Sequence, residues 1–364
     1  MLRAGQLKKA GSCLEQALDL ARRVPDRRRE GRVLSCLGDL HRELGQMEKA
    51  REALESAAAI SCEAGDRQNL GNVLSNLAIV HDDQGRTMEA TACRESALDI
   101  HREVGNRRNE ALVLGHIAAM HHRQGRLDEA LADYQHAFVI LREHGDRFAE
   151  GLLLGNVGCL HQDQGRLEDA RTCHEAALLI HREIGNRLSE VFALANLGDL
   201  NRDQGRIAQA QADCEAALTI AREVGNRRIE GYILTTLGDL HRTEGRLTQA
   251  LSYLEQGLAA IRTAGDRGSE GLMLGRLGGV LAAQGRFDEA RTALQTGETL
   301  LRELGGQPEL AKLLCTRGRM HVAAGEFAEA RAALAEAEML SAAIASGPES
   351  ELTRSVVELR VMLA

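Results

Sequence analysis

Tryptophan is absent from this chain and aromatic residues make up only 2 % of it. A core built on large aromatic plates is therefore excluded. Leu, Ala, Ile and Val must fill it, with Tyr134, Phe138, Phe192, Tyr232, Phe287 and Phe327 as local exceptions. Three prolines in 364 residues are too few for an extended linker. No run of about 20 apolar residues occurs, and the segment after Gly5 is charged and amphipathic, so neither a transmembrane span nor a signal peptide is evident. The cytoplasm is the expected compartment. CxxC is missing as well. Cys13, Cys36, Cys62, Cys93, Cys159, Cys173, Cys214 and Cys315 fall within helical segments and read as free, mostly buried thiols. A formal net charge of -8 argues against nucleic acid or an anionic membrane as the main partner. GxxxxGK[ST], a GxGxxG after a strand, and HExxH are all absent.

What is present is a period of forty residues. Gly38, Gly158, Gly198, Gly238, Gly278 and Gly318 share one phase, with Ala78 and Ala118 in the gaps; Gly45 through Gly325 form an unbroken second column, and Ala50 through Ala330 a third. A continuous period implies a solenoid that grows by layers, which replaces the two or three compact domains a chain of this length would suggest.

Each period holds two apolar stripes of helical spacing. Val33, Leu34, Leu37, Leu40 and His41 mark helix A, which Gly45 ends in the left-handed conformation. Met47, Ala50, Leu54, Ala57, Ala58 and Ile60 mark helix B, closed by Gly65. Asp66, Asn106, Asp146, Asn186, Asn226 and Asp266 are expected to cap the next helix A, with Glu110, Glu150, Glu190, Glu230 or Glu270 in its first turn. Short connections make successive helices antiparallel neighbours. Small residues such as Gly38, Ala50 and Ala57 should face each other between helices A and B.

The phase divides the chain into a partial first repeat at 1–27 with helix B only, seven regular repeats over 28–307, a drifted eighth at 308–347 and a terminal capping helix at 348–364, about eighteen helices in a single all-α solenoid. Gly5 sits where a turn between helices A and B is expected, which leaves Leu7, Ala10, Leu14, Ala17 and Leu18 without their usual cover. Either the chain is a fragment of a longer protein, the favoured reading, or a homodimer forms through that end.

The pattern Leu34, Leu37, Gly38, His41, Ala50, Leu54 and Ala57 resembles the tetratricopeptide repeat, with Leu34 in place of the commoner Trp and His41 in place of Tyr. In its longer period it is similar to the repeats of the LGN/Pins adaptor group and of bacterial signalling ATPases, kinases and cyclases. The resemblance implies a right-handed alpha-alpha superhelix whose A helices line a concave groove, a protein-binding role, and no catalysis or cofactor.

By that resemblance the groove columns carry Asn72, Leu112, Leu152, Phe192, Tyr232 and Leu272; then Asn76, His116, Asn156, Asn196 and Thr236; then Asp39, Asp199 and Asp239; and last Arg42, Asp82, Asp83, His122, Arg123, Gln162, Asp163, Arg202, Asp203 and Arg242. Asparagine offers donor and acceptor together to a peptide backbone. The lysines of a carboxylate-binding clamp are missing, since Ser75, Gly115, Gly155 and Ala195 take their phase. A peptide of mixed or basic charge facing the acids is the expected ligand. The plain alternative is that these are solvated polar positions.

Three other signals invite a stronger reading. His41, His81, His121, His161, His241 and His321 recur once per layer, at about 10 Å, too far apart for one ion, and read as packing residues. Asp82 and Asp83 point about 100° apart on a helix and read as a solvated face. The arginines at 27–29, 107–108 and 227–228 stand beside Glu30, Glu110 and Glu230 and are expected to pair with them. The function expected is a scaffold that holds a peptide or helix of a partner. The alternative is a sensor arm of a larger signalling protein acting on an attached upstream domain.

Overall fold

A computed structural model describes residues 2–24, 26–343 and 350–364, with backbone alone for residues 2–8 and 351. Every described element is an α-helix, in the order α1 (Leu2–Arg23), α2 (Arg27–Glu43), α3 (Met47–Glu63), α4 (Arg67–Asp83), α5 (Thr87–Glu103), α6 (Arg107–Arg123), α7 (Leu127–Glu143), α8 (Arg147–Asp163), α9 (Leu167–Glu183), α10 (Arg187–Asp203), α11 (Ile207–Val224), α12 (Arg227–Thr243), α13 (Leu247–Ala264), α14 (Arg267–Ala283), α15 (Phe287–Leu304), α16 (Gln307–Ala323), α17 (Phe327–Ala343) and α18 (Glu351–Leu363). Hairpins from α2 with α3 through α16 with α17 build an all-α solenoid; α1 packs on α2 in the first half of the chain, and α18 on α16 and α17 in the second. By contact the chain divides into two compact units, residues 1–180 and 181–364.

Local chemistry sets the boundaries. Asp66, Asn106, Asp146, Asn186, Asn226 and Asp266 each accept the backbone N–H three residues on, relieving one of the orphan donors at a helix start. At the opposite end the turn glycines have φ between 63° and 79°, where a side chain would clash. Gly5 departs from this phase: α1 runs through it, because glycine inside a helix costs only about 1 kcal/mol and nothing compels a turn there.

The other glycine column has a different reason. A Cβ on Gly38 would lie 2.5 Å from Leu54 Cγ, and one on Gly278 2.5 Å from Leu294 Cγ, so the A and B helices pack close enough for a leucine to rest on bare backbone. Ala50, Leu54, Ala57, Leu254 and Leu294 are accordingly buried completely.

Along the helix starts runs a ladder of charges. Glu110 accepts from Arg102 at 3.2 Å and from Arg107 at 2.6 Å; Glu30, Glu190 and Glu230 repeat the arrangement. Buried carboxylates each held between two guanidiniums join the end of one B helix to the start of the next A helix.

Two expectations need correction. The cysteines are free but not mostly buried: only Cys214 and Cys315 are, while Cys13, Cys36 and Cys62 are exposed because their phases lie off the apolar stripe. Leu14 and Leu18 of α1 are half-buried against the core of the first hairpins, whereas Ala10 is exposed. The side chain of Leu7 and the connection at 346–348 lie outside the described residues.

Candidate functional site

The candidate side chains of the A helices are half-buried or exposed, and the two units differ in how those side chains are engaged. In residues 1–180 several of the polar candidates are engaged by neighbouring side chains. Asn76 donates from Nδ2 to Asp39 Oδ1 at 2.7 Å, from α4 to α2, and Asn109 donates from Nδ2 to Asn72 Oδ1 at 2.6 Å, from α6 to α4. His122 Nε2 lies 2.7 Å from Asp163 Oδ2. Burial pushes the Asp39 carboxyl above its usual range, with Arg42 acting in the opposite direction. Arg42 and Gln162 are half-buried; Asp83, His116, Arg123, Asn156 and Asp163 are exposed.

Asp82 is not part of a solvated acidic face. It receives Arg94 of α5 and, at 3.4 Å, Arg123. Arg94 occupies the column of Leu54, Leu254 and Leu294 and is only 4 % exposed, so its guanidinium must have a carboxylate and Asp82 supplies it. The same interior column holds Tyr134 and His174, both buried. His174 stands against Gly158, and burial lowers its pKa to about 4.

In residues 181–364 the first column is apolar and open. Phe192 on α10, Tyr232 on α12 and Leu272 on α14 are 50 %, 54 % and 36 % exposed, although two of them are aromatic residues assigned above to the core. Charges stand beside them. Arg202 donates to Asp199 at 2.7 Å and to Asp203 at 3.2 Å, and the Tyr232 hydroxyl donates to Asp199 Oδ2 at 3.4 Å. Desolvation of the hydroxyl beside its neighbours, with Asp199 adding to the effect, pushes the Tyr232 phenol up to about 12. Burial likewise raises Asp199, against the pull of Arg202. Arg242 approaches Asp239 at 3.4 Å, and Arg276 of α14 pairs with the same carboxylate.

Phe192, Asp199, Arg202, Tyr232, Asp239, Leu272 and Arg276 line a cleft of about 680 Å³ that also reaches Leu188, Thr236 and Met273. That volume is typical of a ligand site. Asn196 is half-buried on the same helix as Phe192. Arg276 was not among the expected site residues, yet it continues the column of Asn76, Asn156 and Asn196, so the phase alone would have found it.

The histidines remain one per layer. His41, His121 and His321 meet Gln46, Asp133 and Glu326 at 2.9, 2.9 and 2.6 Å, while His81, His161 and His241 are buried. Among the described residues no group of three or more His, Cys, Asp or Glu is placed to hold a metal ion, and no helix is long and apolar enough to cross a membrane.

Among solved structures, the apo form of the quorum sensor NprR from B. thuringiensis is similar with a TM-score of 0.63 and 16% identity, over 82% of this chain and 85% of that one. Aspartyl phosphate phosphatase F from Bacillus subtilis is similar at 0.62 and 14% identity, over 94% of each chain. A signal transduction ATPase with numerous domains and a tetratricopeptide repeat sensor, from Pyrococcus horikoshii, is similar at 0.60 and 12% identity; 90% of this chain spans 52% of that one. At these identities the likeness is one of fold. No curated protein matches the chain. A MalT-like tetratricopeptide region matches residues 182–305, a further tetratricopeptide pattern 311–336, and the tetratricopeptide repeat profile residues 1–63, 69–143 and 149–212, more than half of the chain. This protein belongs to the tetratricopeptide repeat family.

Proposed function

We propose that the chain is a non-catalytic scaffold that holds a peptide or helix of a partner protein on the exposed face of its A helices. The observation that carries this reading is the row of Phe192, Tyr232 and Leu272, side by side on three successive A helices and open to solvent above a cleft. A soluble protein gains nothing by exposing aromatic side chains in register, whereas a partner that covers them recovers about 25 cal/mol per Å² of apolar surface. Asp199, Arg202, Asp239 and Arg276 beside that row supply orientation.

The test is a pull-down from native host lysate with the chain as bait, beside a Phe192→Ala, Tyr232→Ala variant whose circular dichroism spectrum and melting temperature match the parent. A partner held by the parent and lost by the variant supports the scaffold. If nothing is captured, or both forms capture the same proteins, the reading fails.

The second reading is a sensor arm acting on an attached domain of a larger signalling protein. The fold likeness to the repeat-bearing ATPase, of which this chain spans about half, favours it. On that reading the same cleft receives a segment of the protein's own attached domain, and binding is weak until the two are tethered.

A further inference from the structure

The open apolar surface of the second unit is wider than a single file. Leu188 stands one turn before Phe192 on α10, is 41% exposed and lines the same cleft. With it, Phe192, Tyr232 and Leu272 form a strip that crosses α10, α12 and α14. The half-buried Ile229 and the buried Met273 lie behind the strip as further lining of the cleft.

The charges around this strip are spent on one another. Five charged residues line the cleft, Asp199, Arg202, Arg228, Asp239 and Arg276, and all five are in ion pairs. Arg202 donates to Asp199 at 2.7 Å, Arg228 Nε lies 2.8 Å from Asp266 Oδ2, and Arg276 pairs with Asp239. Even the Tyr232 hydroxyl turns to Asp199. The acids that pointed to a basic ligand, Asp199, Asp203 and Asp239, are thus held by arginines of the same unit. A charged ligand of either sign meets partners that are already neutralised, so its charge gains little here. Burial of apolar surface carries no such penalty.

We infer that the strip of Leu188, Phe192, Tyr232 and Leu272 takes an amphipathic α-helix of a partner protein, laid across α10, α12 and α14 with an uncharged apolar stripe facing inward. The inference rests on the scaffold reading above and names its ligand class. Successive A helices of a stack lie about 10 Å apart. Two turns of an α-helix advance about 10.5 Å, so apolar residues seven apart meet Phe192, Tyr232 and Leu272 in turn, and those three or four on fill the width that Leu188 adds. In a β-strand the side chain about 10 Å along has turned to the opposite face. A polyproline helix keeps the step with every third residue, but as one file narrower than the strip. The paired charges frame the strip and meet the polar flanks of the helix without selecting a sign of charge.

Randomised peptides of about 21 residues, long enough to cross three A helices as a helix, are displayed and selected on the immobilised full chain. The expected sequences carry Leu, Ile, Phe or Met at spacings of three, four and seven. Their affinity should fall no more than about twofold between about 0.05 M and about 0.5 M salt, and at least about tenfold on the Phe192→Ala, Tyr232→Ala variant. An affinity that falls about tenfold or more across that salt range, or enrichment of Asp, Glu, Lys or Arg at the spaced positions, overturns the inference and leaves the scaffold reading standing. Enrichment of proline, or of apolar residues at every third position, does the same, since the ligand is then extended. If no sequence is enriched on the parent over the Phe192→Ala, Tyr232→Ala variant, the inference and the scaffold reading fall together.

Discussion

Residues 1–180 and 181–364 are laid out on the same forty-residue phase, and their A helices nevertheless present different chemistry. In the first unit Asn76 is bonded to Asp39, Asn72 to Asn109, His122 to Asp163, and Asp82 to Arg94 and Arg123. These bonds tie one A helix to the next or to its B helix. The first column turns apolar at Leu112 and the exposed Leu152 of the first unit, and in the second it is Phe192, Tyr232 and Leu272, with charges ranged beside an open cleft. The lesson is that a column at a groove phase is not by itself a binding column. A polar side chain there can be consumed by its neighbour in the stack, whereas the ring of Phe192 has no polar group to be consumed.

Substitutions on the first face are expected to register in stability and those on the second in binding. The largest effect is expected at Asp82. Asp82→Ala strands the guanidinium of Arg94 in the interior, and urea melts should show a loss of about 3 kcal/mol. Adding Arg94→Leu, which restores the residue type of Leu54 and Leu254, should recover most of it. An unchanged midpoint for Asp82→Ala would break the comparison at its strongest point.

Next in size is a dependence on pH. The folded pKa of His174, lowered to about 4, lies below the unfolded value of about 6.5. The neutral ring is what the fold accepts, so its contribution is complete above about pH 6.5 and is lost as pH falls from there toward 4. At pH 5 the penalty is about 2 kcal/mol. His174→Leu should therefore raise stability at pH 5 relative to the parent by more than it does at pH 7.5, in melts run at both pH values. Equal gains at the two pH values would refute the assignment.

The smallest effect sharpens the other side of the contrast. Phe192→Ala removes a half-exposed ring, and its unfolding free energy should stay within about 0.5 kcal/mol of the parent. A loss of several kcal/mol would mean the ring is holding the second unit together and is not a surface kept open for a partner.

Much of the architecture was legible before any coordinates. The positive-φ column from Gly45 to Gly325, the caps from Asp66 to Asp266 and the Gly38 column against Leu54 all follow from chemistry acting within a turn or between two adjacent helices. The candidate site was legible only as a set of phases. Nothing in the order of residues says that Asn72 is engaged and Phe192 is not, and Arg94 and His174 in the interior column were not anticipated as buried, whereas Tyr134 was.

The sequence by itself thus determined the period, the helices, their ends and the family, because helix phase, capping and left-handed glycine depend on residues a few positions apart. Tertiary structure alone decided which side chains are spent. Asp82 meets an arginine twelve positions on across a turn, Asp239 meets one from the next repeat, and Leu272 opens onto the cleft that Phe192 and Tyr232 line. Exposure and charge balance at such places are sums over several helices, and they exist only once those helices have packed.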